Sequence, residues 1–140
     1  MPIRASLRWL YPIDWPQISR AIRFGRAKGR CEACARPHKA KVLCVSDGRW
    51  LDQAQWRDCR GRPCLSPRGQ ALDEVKVTRV ILAAAHVDHD PVNSRPSNLK
   101  CLCQRCHMLH DRPHHLAQRW LTYRMRWALG DLFSGPYFPG

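Results

Sequence analysis

The sequence predicts an α+β fold: a small core braced by a four-cysteine site and flanked by an N-terminal and a C-terminal helix. Three observations predict it. Two Cys-x-x-Cys pairs, Cys31/Cys34 and Cys103/Cys106, bracket the middle of the chain. A run rich in β-branched residues, from Val75 to about Ala85, reads as a strand, and Leu99 to Leu102 is long enough for a second. Apolar residues recur at helical spacing on both sides of this core. The 140 residues read as a single domain, 1–140. Its core spans about 29–112, with an insertion at about 46–74 and flanking helices at about 14–28 and 113–130.

Taken in order, residues 1–13 are irregular and aromatic, with Trp9 and Tyr11 expected to pack on the body. Asp14 is a good N-cap for the first helix, and Pro16 falls in the first turn, where its missing N–H costs little. Ile18, Ile22 and Trp15 share its apolar stripe, and Gly29 is a stop signal. Arg20, Arg23, Arg26, Lys28 and Arg30 make the other surface strongly basic. Val42 to Val45 suits a short strand. Residues 46–74 are polar and rich in Gly, Pro and Arg, with Trp50 and Trp56 as anchors. Pro91, Asn93, Ser94 and Pro96 mark Asp90–Ser97 as a loop. Gln104 to about Arg112 reads as one helix. Pro113 then opens another, carrying Leu116, Trp120, Leu121, Met125 and Trp127 to near Gly130, and the tail from Asp131 is irregular.

The charge narrows the partners. Against 24 Lys and Arg stand 11 Asp and Glu, a formal net charge of +13. Such a surface attracts polyanions, and nucleic acid is the default partner. A membrane is not expected, because no long apolar run occurs. The N-terminus lacks the apolar core of a signal peptide, so the expected location is cytoplasmic, with thiols kept reduced. Eight cysteines in that setting favour metal over disulfides.

Each Cys-x-x-Cys pair can grip an ion from one tight turn, and two pairs complete a tetrahedral thiolate site for structural zinc. Sixty-eight residues separate the pairs, so the fold itself must close the site. Cys101 reads as a small buried residue in the second strand. Cys44, Cys59 and Cys64, with His38, are the material for a second site, though their spacing is irregular.

The densest chemistry lies between Ala84 and Asp111, which holds His86, Asp88, His89, Asp90, Asn98, His107, His110 and Asp111. The segment resembles the HNH endonucleases, or ββα-metal nucleases. The residues that carry the likeness are His86 at a strand end, then Asn98-Leu99, then Leu102-Cys103-Gln104-Arg105-Cys106-His107. It covers roughly residues 31–34 and 75–112. The resemblance implies a ββα-metal core and a metal-dependent DNA endonuclease. It also implies single-strand nicks that leave 5′-phosphate and 3′-hydroxyl ends. Composition leaves RNA open as the substrate.

The resemblance assigns roles residue by residue. One register makes His86 the general base, with Ala85 where many members carry a metal ligand. The other uses Asp88-His89 as ligand and base, which shortens the loop to Asn98. The first fits the motif better, and His89 stays the named alternative. Asn98 is expected to brace the loop through side-chain hydrogen bonds to backbone. His107 and Asp111, four apart on a helix, are expected to hold Mg²⁺, Mn²⁺, Ni²⁺ or Zn²⁺, with Asp88 as a further ligand. Arg20, Arg23, Arg26, Lys28, Arg30, Arg119, Arg124 and Arg126 are the expected phosphate contacts, for a monomer or weak dimer with little sequence preference. A zinc-braced nucleic-acid-binding module with an inactive site is the alternative that Ala85 favours.

Overall fold

The computed structural model describes residues 3–69 and 73–134. The chain divides into two compact units, Met1–His107 and Met108–Gly140. The first unit is mixed α and β. It opens with a 3-10 segment, Ala5–Leu10, and helix α1, Trp15–Arg20. Asp14 occupies the N-cap position but makes no side-chain capping bond. The helical path continues through a wider π-type stretch, Ala21–Arg26, closed by Ala27 N–H to Ile22 C=O at 3.0 Å. Gly29, at φ +72°, turns the chain away, and its N–H reaches back to Arg23 C=O at 2.8 Å.

Among the described residues six strands follow in two antiparallel sheets. Strands β1 (Lys41–Cys44), β2 (Trp50–Asp52), β3 (Gln55–Arg57) and β4 (Lys76–Arg79) form a sheet in the order β3-β2-β1-β4. Strands β5 (Leu82–His86) and β6 (Leu99–Cys103) form the second, in register from Leu82↔Cys103 to His86↔Leu99. Helix α2, Gln104–Ser134, follows β6 with no connecting loop.

The single strand expected over 75–85 is two strands in different sheets. The chain breaks at Val80 and Ile81. Val80 pairs with Ala40 and Lys39 through its own backbone, N–H to Ala40 C=O at 2.8 Å and C=O from Lys39 N–H at 2.7 Å. Gln104 spans the break: its Oε1 accepts Ile81 N–H at 3.0 Å, and its Nε2 donates to Arg79 C=O at 2.6 Å. The insertion at 46–74 differs from expectation in supplying β2 and β3, while Trp50 is the buried anchor its sequence suggests. Trp9, expected to pack, is 79% exposed, whereas Tyr11 meets Trp15 edge-on at 5.1 Å.

The core of the first unit gathers Ile22, Val42, Trp50, Val80, Leu82, Ala85, Leu99 and Leu102 around the buried cysteines, with Trp15 and Ile18 packed against it. It pins both faces of the β5–β6 pair, which sets where His86 and the cysteines lie.

The two expected C-terminal helices are one. Pro113 sits inside α2. It removes one N–H from the helix ladder without ending it. Among the described residues no helix is long and apolar enough to cross a membrane.

Candidate metal centre and adjoining histidine loop

The backbone around Cys31 folds into a knuckle. Cys31 N–H donates to Arg36 C=O at 3.0 Å and Ala35 N–H to Cys31 C=O at 2.8 Å, with Ala35 at φ +63°. Gly61 packs on this turn so closely that a Cβ there would stand 2.8 Å from the Cys34 carbonyl oxygen. Cys103 ends β6 and Cys106 sits in the first turn of α2, so the second pair straddles a strand–helix junction.

The fold brings Cys31, Cys34, Cys103 and Cys106 together, all buried, with their sulfurs within 4.8 Å of one another. Cys34 Sγ and Cys103 Sγ are 3.6 Å apart, and all four are free thiols. A tetrahedral zinc with bonds of about 2.3 Å keeps its sulfurs about 3.8 Å apart, so the group has the size of such a site. Cys103 N–H also points at Cys31 Sγ at 3.3 Å, the kind of donor that steadies a thiolate ligand. The proton affinities diverge. Hydrogen bonds from Cys106, Cys31 and Cys34 pull the Cys103 thiol down, while Cys106, bonded to Cys103, is pushed up. Four buried thiols cannot all ionise against each other, and a bound cation removes that conflict. The group is therefore close enough, and chemically suited, to hold a metal ion.

Cys101 is fully buried, and burial followed by the Cys31 charge pushes its thiol up to about 12. Glu32 lies between the first two cysteines. Burial would raise its carboxyl, but the Arg26 hydrogen bonds and the Cys101 N–H hold it below the usual carboxylate range. Arg26 binds both Glu32 oxygens, at 3.1 and 2.9 Å, and donates to Pro96 C=O at 2.7 Å and to Leu99 C=O. This arginine thus fastens the first knuckle to the start of β6. Cys44, Cys59, Cys64 and His38 form no ligand group among the described residues. His38 Nδ1 instead accepts Leu82 N–H at 3.1 Å.

The histidine loop runs from β5 to β6. His86, the last residue of β5, is 9% exposed. Its ring stacks on Trp15 at 5.0 Å and 17°, meets Tyr11 edge-on at 5.7 Å, and its Nε2 lies 3.1 Å from Ser94 Oγ. Burial lowers its pKa, and Asp88 and Asp90 oppose that only in part. Imidazole in that setting is neutral at pH 7.

Asp88 and Asn98 tie the loop together. Asn98 Nδ2 donates to Asp88 Oδ1 and to Asn93 C=O, both at 2.7 Å, and its Oδ1 accepts Asp88 N–H at 3.3 Å. Asp88 Oδ1 also takes Asp90 N–H, and Oδ2 takes Asn93 Nδ2, each at 2.9 Å. These bonds, that from Asn98 first, hold the Asp88 carboxyl down at about 2. His89 follows in the left-handed region at φ +61°, a conformation that costs a non-glycine residue about 1 kcal/mol or more.

His107 lies half-buried directly after Cys106 in the first turn of α2. Asp111 is half-buried one turn further along that helix, in the second unit. Of the basic residues, Arg20, Lys28 and Arg30 are exposed on the first unit, with Arg30 Nη1 bonded to Ala35 C=O at 3.0 Å. Arg23 is half-buried over Phe24, 5.0 Å from its ring. Arg119, Arg124 and Arg126 are exposed on α2. The packing of Trp15 and Tyr11 on His86, and the reach of Arg26 and Glu32 to the start of β6, carry no local sequence signal, since these partners are remote in the chain. No family model, no curated protein and no solved structure matches this chain.

Proposed function

We propose that this chain is a metal-dependent endonuclease of the HNH type that hydrolyses phosphodiester bonds in DNA, with His86 as general base. One observation carries the reading. A strand ending in His86, a loop clamped by Asn98, a strand and a helix bearing His107 follow one another as a β-hairpin and helix, with the four-cysteine group fixing the strand–helix junction.

His86, kept neutral by burial, can take a proton from water. Asn98 and Asp88 hold the loop that carries Ser94 against its Nε2. His107 supplies an imidazole ligand and Asp88 an ionised carboxylate whose Oδ2 keeps a lone pair beyond the Asn93 bond. A divalent ion held there would contribute positive charge beside the scissile phosphate and acidify a bound water. Arg20 and Lys28 are exposed for phosphate contact, and Arg30 is exposed but also faces Asp52 Oδ2 at 3.7 Å, so binding should weaken with salt.

A zinc-braced nucleic-acid-binding module without catalysis is the second reading. Ala85, which offers no ligand, is buried just before His86. His86 is itself covered by Trp15, and Asp88 is already engaged by three donors.

A plasmid-nicking assay with Mg²⁺, Mn²⁺ or Ni²⁺ separates the two. Removing a general base costs about a hundredfold or more. The nuclease reading expects that loss from His86→Ala and His107→Ala, and cleavage retained by His89→Ala. Loss with His89→Ala but not His86→Ala moves the base to His89. Undiminished cutting by His107→Ala rejects the metal site. DNA binding with no cleavage under any of the metals establishes the second reading.

A further inference from the structure

Helix α2 is 31 residues long, well beyond an ordinary globular helix. From Leu109 onward one row of residues alternates in steps of four and three, Leu109, Pro113, Leu116, Trp120, Tyr123, Trp127, while Ala117, Leu121 and Met125 lie off that row. That spacing is the a/d seam of a coiled coil, and it runs about 27 Å along the helix. Leu109 is 50% exposed, Leu116 54%, and Trp120 and Tyr123 58% each. A continuous apolar row of this size on a surface marks an interaction site.

The flanks of the row identify the partner. Arg112, Arg119 and Arg126 each precede a seam residue by one, so they repeat every seven and line one edge. Arg124 lies on the other edge, and Asp111 is the one acid between 108 and 127. We propose that this helix face docks an acidic amphipathic helix of a partner protein, its apolar side on the seam and its carboxylates on the arginines.

A second copy of the chain fits poorly. In a parallel pair Arg119 would face the Arg124 of the second copy, and in an antiparallel pair the arginine edges would meet each other; like charges at these positions oppose pairing. Nucleic acid would satisfy the arginines but leave Leu109 and Leu116 uncovered. The rings are also engaged within the helix: Arg124 covers Trp120 at 5.0 Å, and Tyr123 and Trp127 lie tilted together at 5.5 Å. This assignment gives Arg119, Arg124 and Arg126 a role other than phosphate contact.

The test uses the full-length, zinc-loaded chain and a fluorescent synthetic peptide of about four heptads, with Leu at a and d and Glu at e and g. A twin peptide carries Lys in place of Glu. By fluorescence anisotropy the acidic peptide should bind and the lysine twin should not. The triple variant Arg112→Glu, Arg119→Glu, Arg126→Glu should weaken the acidic peptide by about tenfold or more and gain the lysine twin. Trp120→Ala should weaken it with zinc content and circular dichroism unchanged. Failure of the acidic peptide to bind overturns the proposal. So does duplex DNA binding that the triple variant abolishes in the absence of peptide binding, which returns the arginines to phosphate. Self-association in sedimentation that Trp120→Ala abolishes, again without peptide binding, assigns the face to a second copy.

Discussion

Removing the carboxamide of Asn98 would leave three groups without their present partner: Asp88 N–H, one Asp88 oxygen and the Asn93 carbonyl. Two of these bonds are open to water, so Asn98→Ala should lower denaturant stability by about 0.5–1.5 kcal/mol, the net worth of an ordinary hydrogen bond. The same change should let the Asp88 carboxyl climb from about 2 toward its ordinary value of 3.8, because the Asn98 bond is the largest cause of its depression. The sign follows from linkage. A depressed carboxyl contributes its stabilisation in full above the unfolded pKa and loses it as pH falls through the folded one, here between about pH 4 and pH 2. Carbon-detected NMR titration of Asp88 reads this directly, and an unmoved pKa in Asn98→Ala would refute the clamp. At this scale the sequence was informative where chemistry is local. The resemblance implies Asn98 as a brace bonded to backbone, and its amide does meet Asp88 N–H and Asn93 C=O; Asp88 Oδ1 closing on Asp90 N–H is a turn not singled out from the sequence. Trp15 stacking on His86 was not readable, because no periodicity links residues seventy-one positions apart.

Elements were legible by period and mislaid at their joints. The run 75–85 has strand composition throughout, so nothing in it announces that Val80 turns to Ala40 while Leu82 turns to Cys103. The break depends on Gln104, which bonds both Arg79 and Ile81. Gln104→Ala should therefore cost about 0.5–1.5 kcal/mol, since both bonds are open to water, and raise the hydrogen-exchange rate of the Ile81 amide, leaving Val77 paired with Leu43 in the first sheet unaffected. Equal exchange at Ile81 in both proteins would show that the strands hold the break without it. Pro113 misled in the opposite direction. A proline inside a helical pattern reads as a boundary. Yet it is exposed, and a single missing bond is too small a loss to stop a helix with more than twenty further residues to propagate. The polar composition of 46–74 likewise concealed a hairpin, because β2 and β3 need just three residues each to complete the sheet.

At the scale of the whole molecule the decisive quantity is how little apolar material the core contains. Of the fourteen buried apolar residues described, five are cysteines and one is Ala85. The two Cys-x-x-Cys pairs could be matched from spacing alone, since two chelating turns need one another whatever lies between. What spacing could not supply was the link beside the group, in which Glu32 accepts Cys101 N–H and Arg26 joins Glu32 to the carbonyls of Pro96 and Leu99. A metal in such a site contributes roughly 10–16 kcal/mol in small domains, as much as the whole net stability of an ordinary domain. Zinc-loaded protein should accordingly contain one zinc per chain. Stripping it with a strong chelator, or substituting Cys34→Ser, should abolish near-ultraviolet circular dichroism from buried Trp50 and release the Val80 and Leu82 amides to fast exchange. Adding zinc back should restore the chelated wild type and leave Cys34→Ser impaired. A chain that keeps its exchange protection with no bound metal would mean that packing and thiol hydrogen bonds alone hold the four sulfurs together, and the metal centre would have to be abandoned.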